Sequence, residues 1–298
     1  MSTKNPRINY RQKTLLGLLS TFDGRLPKVD FQKYLFLYTH EFQKEPSFEF
    51  VPYKYGGFSF QSYADKRRLN DIGALMDSDD WRLNQNFEIE DLYDKVEFNQ
   101  FYKKYSTIKG DKLVQDIYRR YPYYAINSEI AGRLMTKKEI ENIEIARPIE
   151  KKECFFTIGY EGSSFEGYLN RLIRNNIKLL VDVRRNALSR KYGFSKKTLS
   201  ETLNNLGIEY THIPELGISS EKRQNLKNEN DYERLFDLYE KNELQKNKKS
   251  LKKLHQIFLN RKRVAITCFE AHSNMCHRGR VAKALSHSPK WNFDIRHI

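Results

Sequence analysis

The hydrophobic positions of this chain follow two regimes. Up to about residue 144 they recur at helical spacing and are rich in aromatic rings; beyond residue 153, short and wholly apolar runs alternate with amphipathic stretches. In the first regime, residues 14–19 read as a helix closed by Gly24. Residues 29–42 place Val29, Phe31, Tyr34, Leu35, Leu37 and Tyr38 on a helical repeat after Pro27. Residues 48–60 break this pattern. Their aromatics alternate around Gly56-Gly57, which predicts two short strands, or a wing, turning at the glycines. Helical spacing resumes over 63–76 and over 99–144, where Tyr118, Tyr121, Tyr123 and Tyr124 gather around Pro122. Proline restricts its neighbour and ends helices, so Ala146-Arg147-Pro148-Ile149 marks a domain boundary.

In the second regime the pattern predicts strands at 155–159, 178–183, 209–213 and 264–268. Helices are expected at 165–173 and 196–206, the latter opened by Ser195 and closed by Gly207, with a long charged helical stretch from 231. Strands that are apolar along their length and separated by helices belong in a largely parallel α/β sheet. The expected architecture is therefore a mainly helical, winged-helix-like domain over 1–147 and an α/β domain over 148–298.

Ligands of such sheets gather beyond the carboxyl ends of the strands. Four loops leave those ends: Gly159-Tyr160-Glu161-Gly162, Asp182-Val183-Arg184-Arg185, the stretch from His212 to Gly217, and 268–280, CFEAHSNMCHRGR. The last holds two thiols, an acid, two imidazoles and two guanidiniums. Three readings of it stand side by side. Cys276 is a nucleophile whose thiol is acidified by arginines and a helix N-terminus. Alternatively, Cys268, Cys276 and His277 or His272 ligate a metal, although a C-x7-C spacing is unlike the compact pairs of most zinc knuckles. In the third, Cys268 is a buried small hydrophobe, and Glu270 pairs with Arg278 to pin the loop. Asp182 is either a general base or the ion-pair partner of an arginine. Glu161 is a further acid on this edge, and Tyr160 a ring that can cover a planar ligand. Arg184, Arg190, Arg278 and Arg280 suit a phosphate, because the guanidinium fork matches its oxygens. No glycine spacing here is that of a dinucleotide or Walker loop, and no serine sits in a nucleophile elbow, so no cofactor is assigned.

Taken as a set, Thr157-Ile158-Gly159 with Phe165, Leu180 to Arg184 followed by Ser189-Arg190, Leu216-Gly217, and Cys268-x-Glu270 with Cys276-His277-Arg278 resemble the family catalogued as domain of unknown function 488. The resemblance covers 156–285 and leaves the first domain outside it. It implies a fold and a pocket more than a reaction. Related sequences tend to carry proline at the position of Ala187, so the turn after the second strand is looser here.

Charge narrows the partner. Of 298 residues, 53 are basic and 38 acidic, a net charge of +15, which favours DNA or another nucleic acid. Residues 241–263 hold nine basic side chains against Glu243 alone, among them Lys248, Lys249, Lys252 and Lys253. Leu251, Leu254, Ile257 and Phe258 mark the opposite, packing face. In the first domain the expected nucleic-acid contacts are Lys54, Tyr55, Lys66, Arg67 and Arg68. A winged helix can also be a dimerisation platform, so a homodimer is a further expectation. No apolar run approaches 18 residues, which predicts no membrane span. Three cysteines do not make a disulfide scaffold, and the N-terminus lacks a signal peptide's apolar core, so a cytoplasmic location is expected. These features combine into an expected nucleic-acid-directed enzyme, hydrolysing or transferring a group on a nucleotide, base or phosphate. A repair or defence setting is compatible with it. The alternative is a non-catalytic DNA-binding regulator that senses a small anion.

Overall fold

A computed structural model describes residues 7–87, 94–223, 228–289 and 291–298. The chain divides into two compact units, Met1–Arg147 and Pro148–Ile298.

The first unit is helical. Its helices are α1 (Tyr10–Thr21), α2 (Lys28–Glu41), α3 (Phe60–Asp71), α4 (Lys95–Tyr105), α5 (Gly110–Arg120), α6 (Ala131–Leu134) and α7 (Lys137–Ile145). Helix α1 opens on a capping box, in which Asn9 accepts from the Gln12 amide and the Gln12 side chain accepts from the Asn9 amide. Helix α2 is buried along most of its length, because it carries Phe31, Tyr34, Leu35, Phe36, Leu37 and Tyr38 into a core of stacked and edge-on rings. Among the described residues the unit also holds two antiparallel pairs: β1 (Arg25–Leu26) with β4 (Trp81–Arg82), and β2 (Val51–Tyr53) with β3 (Gly56–Phe58). The β2–β3 hairpin supplies the two expected short strands, but its glycines lie in strand β3 and the turn is made by Lys54-Tyr55. Close packing explains the placement: a Cβ on Gly57 would come within 2.8 Å of the Phe36 ring, and Gly56 has φ +91°.

The second unit is a five-stranded, wholly parallel sheet. Its strands are β5 (Cys154–Gly159), β6 (Leu179–Asp182), β7 (Glu209–His212), β8 (Arg263–Cys268) and β9 (Asp294–His297), in the order β7-β6-β8-β5-β9. The helices are α8 (Phe165–Arg174), α9 (Lys196–Asn205), α10 (Glu229–Leu238), α11 (Lys248–Arg261) and α12 (His277–Ser286), with a π-helical stretch at Tyr239–Leu244. Four strands fall where the hydrophobic pattern puts them; β9 was not legible there. Alternation along the strands sorts the two faces. Phe155, Leu179, Val181, Val264 and Ile266 pack with Leu254 and Phe258 of α11 and Val281, Ala282 and Leu285 of α12. The register pairs Asp182 with Thr267, and Tyr168 of α8 donates to the Thr267 hydroxyl at 2.9 Å, which puts Asp182 on the opposite face.

The strand order fixes where a site can form. The chain leaves β6 towards the β7 edge and leaves β8 towards the β9 edge, so the connections diverge at the carboxyl ends of β6 and β8. Such a divergence opens a crevice, the usual place for a ligand in an open α/β sheet. Among the described residues, no helix is long and apolar enough to cross a membrane.

Candidate functional site

Cys268 ends β8 on the face that Val264 and Ile266 share, and therefore points towards the start of α12. Cys276 is the N-cap of that helix and His277 its first residue. The helix thus delivers a thiol and an imidazole to the end of the strand that supplies the other thiol. Glu270, two residues past Cys268, returns to the same side. The Cys268 thiol lies 3.3 Å from Glu270 Oε2 and 3.5 Å from His277 Nδ1, and the Cys276 thiol 3.9 Å from the same nitrogen. All four donor atoms fall within 4.8 Å of one another. Cys268, Cys276 and His277 are buried, and Glu270 is half-buried.

The loop that carries Glu270 is held rigidly. Arg278, almost wholly buried, donates to the carbonyls of Glu270 and Ala271, the latter at 2.7 Å, and to the Thr157 hydroxyl at 3.4 Å. Glu161 accepts from the Ala271 amide at 2.9 Å. Beneath the loop lies Gly159, where an added Cβ would fall 1.9 Å from the Glu270 carbonyl oxygen. Only glycine lets the strand end and the loop approach this closely. Arg278 therefore holds backbone carbonyls instead of a phosphate, and it pins the loop through those carbonyls, where the sequence suggested the Glu270 carboxylate.

Asp182 and Arg184 form a separate assembly on the other face of the sheet. The buried Asp182 carboxylate accepts from the Arg184 amide at 3.0 Å, from its guanidinium at 2.6–3.1 Å, and from the Tyr210 hydroxyl at 2.8 Å. Arg184 also donates to the Tyr160 hydroxyl at 2.9 Å and the Phe194 carbonyl at 2.8 Å. Tyr160 is stacked on Phe194, with ring centroids 4.3 Å apart. Burial and the adjoining Asp182 carboxylate push the Tyr210 hydroxyl pKa well up, so it stays a donor. Both carboxylate oxygens accept from groups of the fold, and the guanidinium donates to Asp182, Tyr160 and Phe194. Asp182 and Arg184 thus make a buried strut, the ion-pair arrangement, and neither faces the thiol cluster. The expectation that acids, arginines and thiol converge on one pocket is met only by Cys268, Glu270, Cys276 and His277, with Glu161 and Arg278 behind them.

The remaining candidates are dispersed. Arg190 is exposed, and Arg280 is paired with Glu240 at 3.0 Å and lies over Phe236. His272 is exposed, outside the donor cluster. In the first unit, Lys66 is buried and its ammonium donates to the carbonyls of Ser78, Asp79 and Asp80 at 2.8–3.3 Å, so it closes a turn where a nucleic-acid contact was expected. Lys54 pairs with Glu129 at 3.3 Å, whereas Tyr55, Arg67 and Arg68 are exposed. Lys248, Lys249, Lys252 and Lys253 are all exposed on α11.

A buried thiol resists ionisation, and burial pushes the Cys276 pKa well up; the neighbouring Cys268 and Glu270 act in the same direction. The reading of Cys276 as a free, acidified nucleophile loses its physical basis here, despite the helix N-terminus at which it sits. Sequence reasoning missed the role of the Val183 carbonyl, 3.0 Å from His277 Nε2, because a backbone atom leaves no side-chain signal, and it missed Tyr210, which lies outside every motif.

The second unit is accordingly a parallel α/β domain that gathers two thiols, an imidazole and a carboxylate at the switch point of its sheet. Residues 164–285 match the family model described as Domain of unknown function DUF488. No curated protein and no solved structure matches the chain.

Proposed function

We propose that the protein is a nucleic-acid-directed enzyme that hydrolyses or transfers a group on a nucleotide, base or phosphate, working in the cytoplasm. Its chemistry is placed at Glu270, Cys276 and His277, with Asp182 and Arg184 as support. The observation that carries this reading is the course of α11. This helix packs against β8 and runs directly into it, so the two are antiparallel and the start of α11 lies on the carboxyl edge of the sheet. Asn247, just ahead of it, donates to the Glu215 carbonyl at 2.9 Å, in the loop that leaves β7 on that edge. Lys248 and Lys249 therefore stand on the same edge as the thiol cluster, and Lys252 and Lys253 continue the positive face along the helix. The same helix borders an open groove of about 870 Å³ whose lining includes Lys248, Lys252, His255, His287 and Phe293. Lysines in such a row bind phosphates by displacing counterions, independent of sequence. The exposed Tyr55, Arg67 and Arg68 of the first unit are secondary contacts in this reading. The three buried cysteines, none in a disulfide, suit a reducing compartment.

The test is fluorescence anisotropy of the full chain with duplex DNA, single-stranded DNA and RNA, beside a turnover assay on the same substrates. Reversing Lys248, Lys249, Lys252 and Lys253 to Glu is expected to weaken binding on all sequences and to flatten its salt dependence by up to about 0.9 in log–log slope per lost phosphate contact. Glu270→Gln is expected to keep affinity and lose turnover. Equal affinity in the charge-reversed variant would refute the nucleic-acid surface. Binding by the parent chain with no turnover of any of these substrates would leave the regulator.

A further inference from the structure

We infer that Cys268, Cys276, His277 Nδ1 and Glu270 form a binding site for one zinc-class divalent ion. The inference stands on the donor geometry and holds whether or not nucleic acid is the substrate.

Distances come first. In a tetrahedral zinc site with metal–sulfur bonds of ~2.3 Å and metal–nitrogen or –oxygen bonds of ~2.0–2.1 Å, neighbouring ligand atoms stand roughly 3.3–3.8 Å apart. Cys268 to His277 Nδ1 is 3.5 Å, Cys276 to His277 Nδ1 is 3.9 Å, and Cys268 to Glu270 is 3.3 Å. Three of the six edges of the required tetrahedron are already formed to within a few tenths of an ångström, and the other three pairs of donor atoms lie within 4.8 Å, so binding draws the cluster in by at most about an ångström.

The histidine gives an independent argument. Its Nε2 lies 3.0 Å from the Val183 carbonyl, an atom that can only accept, so Nε2 carries the proton. The Nδ1 lone pair is then turned towards the two thiols. A backbone carbonyl that fixes the far nitrogen of a histidine is the usual outer partner of a metal-bound imidazole. The loop clamped by Arg278 and Glu161 over Gly159 adds preorganisation, since Glu270 and Cys268 are held without a ligand's help.

Charge and donor type select the ion. Two thiolates and an imidazole suit zinc and disfavour magnesium and calcium, which take oxygen. Binding releases the two thiol protons to solvent, leaving two thiolates, a neutral imidazole and a carboxylate around a dication. The resulting excess negative charge faces the buried Arg278 guanidinium and the N-terminus of α12. Glu270 is the one ligand with solvent exposure, and hence the one a water or substrate would displace.

Elemental analysis of the full chain, expressed without a metal-affinity tag and purified without chelator, is expected to give about one zinc per chain. Cys276→Ser and His277→Ala should each lower that content several-fold. The cobalt-substituted parent should show thiolate-to-cobalt charge transfer and tetrahedral ligand-field bands, both lost in Cys268→Ser. Should a variant fail to fold, the parent still decides the matter: chelation is expected to expose two thiols to a thiol reagent in step with zinc release. Protein that holds no metal as purified and takes none up from buffered zinc would overturn the inference. So would a Cys268–Cys276 disulfide in anaerobically prepared protein.

Discussion

Replacing Asp182 by Asn separates a structural strut from a catalytic base. The carboxylate is wholly buried and Arg184 is 5% exposed. One oxygen takes the Arg184 amide and Nε; the other takes Arg184 Nη2 at 2.6 Å and the Tyr210 hydroxyl at 2.8 Å. An amide can satisfy one of these pairs and presents its own N–H groups to the donors of the other. It also leaves the Arg184 charge buried with no counter-charge. Breaking a buried pair in this way costs about 3–5 kcal/mol, against a typical total of about 5–15 kcal/mol. For a domain of this size each kcal/mol shifts Tm by roughly 2–4 °C, so a fall of about 6–20 °C is expected by calorimetry. Replacing Arg184 by Met as well should recover part of the loss, because the orphaned charge disappears, and a double-mutant cycle reads that coupling directly. An Asp182→Asn variant that melted within about 2 °C of the parent and had lost turnover would refute the strut and restore Asp182 as a base.

Two other perturbations probe the two units separately. Burial lowers the Lys33 pKa from 10.5 to about 7, while Asp30 draws it back up only in part. The folded state thus binds this proton less tightly than the unfolded chain, and the cost is full below about pH 7 and fades as pH rises towards the unfolded value. At about 1.4 kcal/mol per pH unit the span is on the order of 5 kcal/mol. Lys33→Met should abolish that pH dependence in melts between about pH 6.5 and 10, with some stability lost because the Gly57 carbonyl loses its donor at 3.0 Å; an unchanged pH profile would count against it. In the second unit, Gly159→Ala must push the strand end off the Glu270 carbonyl, and zinc affinity should fall at least ten-fold with the sheet intact by circular dichroism. Undiminished zinc binding in that variant would show that the loop does not preorganise the site.

Much of the scaffold was legible in the sequence, and its limits have physical causes. Four strands of the parallel sheet announce themselves as short apolar runs. Strand β9 does not, because it is an edge strand: Ile295 is its only apolar residue, and the rest of Asp294–His297 is charged or polar. Cys268 and Glu270 could be placed on one side from their spacing. That Asp182 faces the other way depends on the register between β6 and β8, which no local pattern encodes. The sequence also gave no sign that Lys66 differs from Arg67 and Arg68 beside it. Helical rotation turns Lys66 inward onto three carbonyls and leaves the two arginines in solvent. The Cys276-His277 pair reads as an unlikely metal motif by spacing alone. The donors come together because a strand end and a helix start, separated by a seven-residue loop, meet at the carboxyl edge of the sheet.

X-ray absorption at the zinc edge of the purified full-length chain bears most directly on the site. Two sulfur neighbours at about 2.3 Å and two nitrogen or oxygen neighbours at about 2.0–2.1 Å are expected. A zinc shell without sulfur, or no zinc edge at all in protein equilibrated with the metal, would contradict the account.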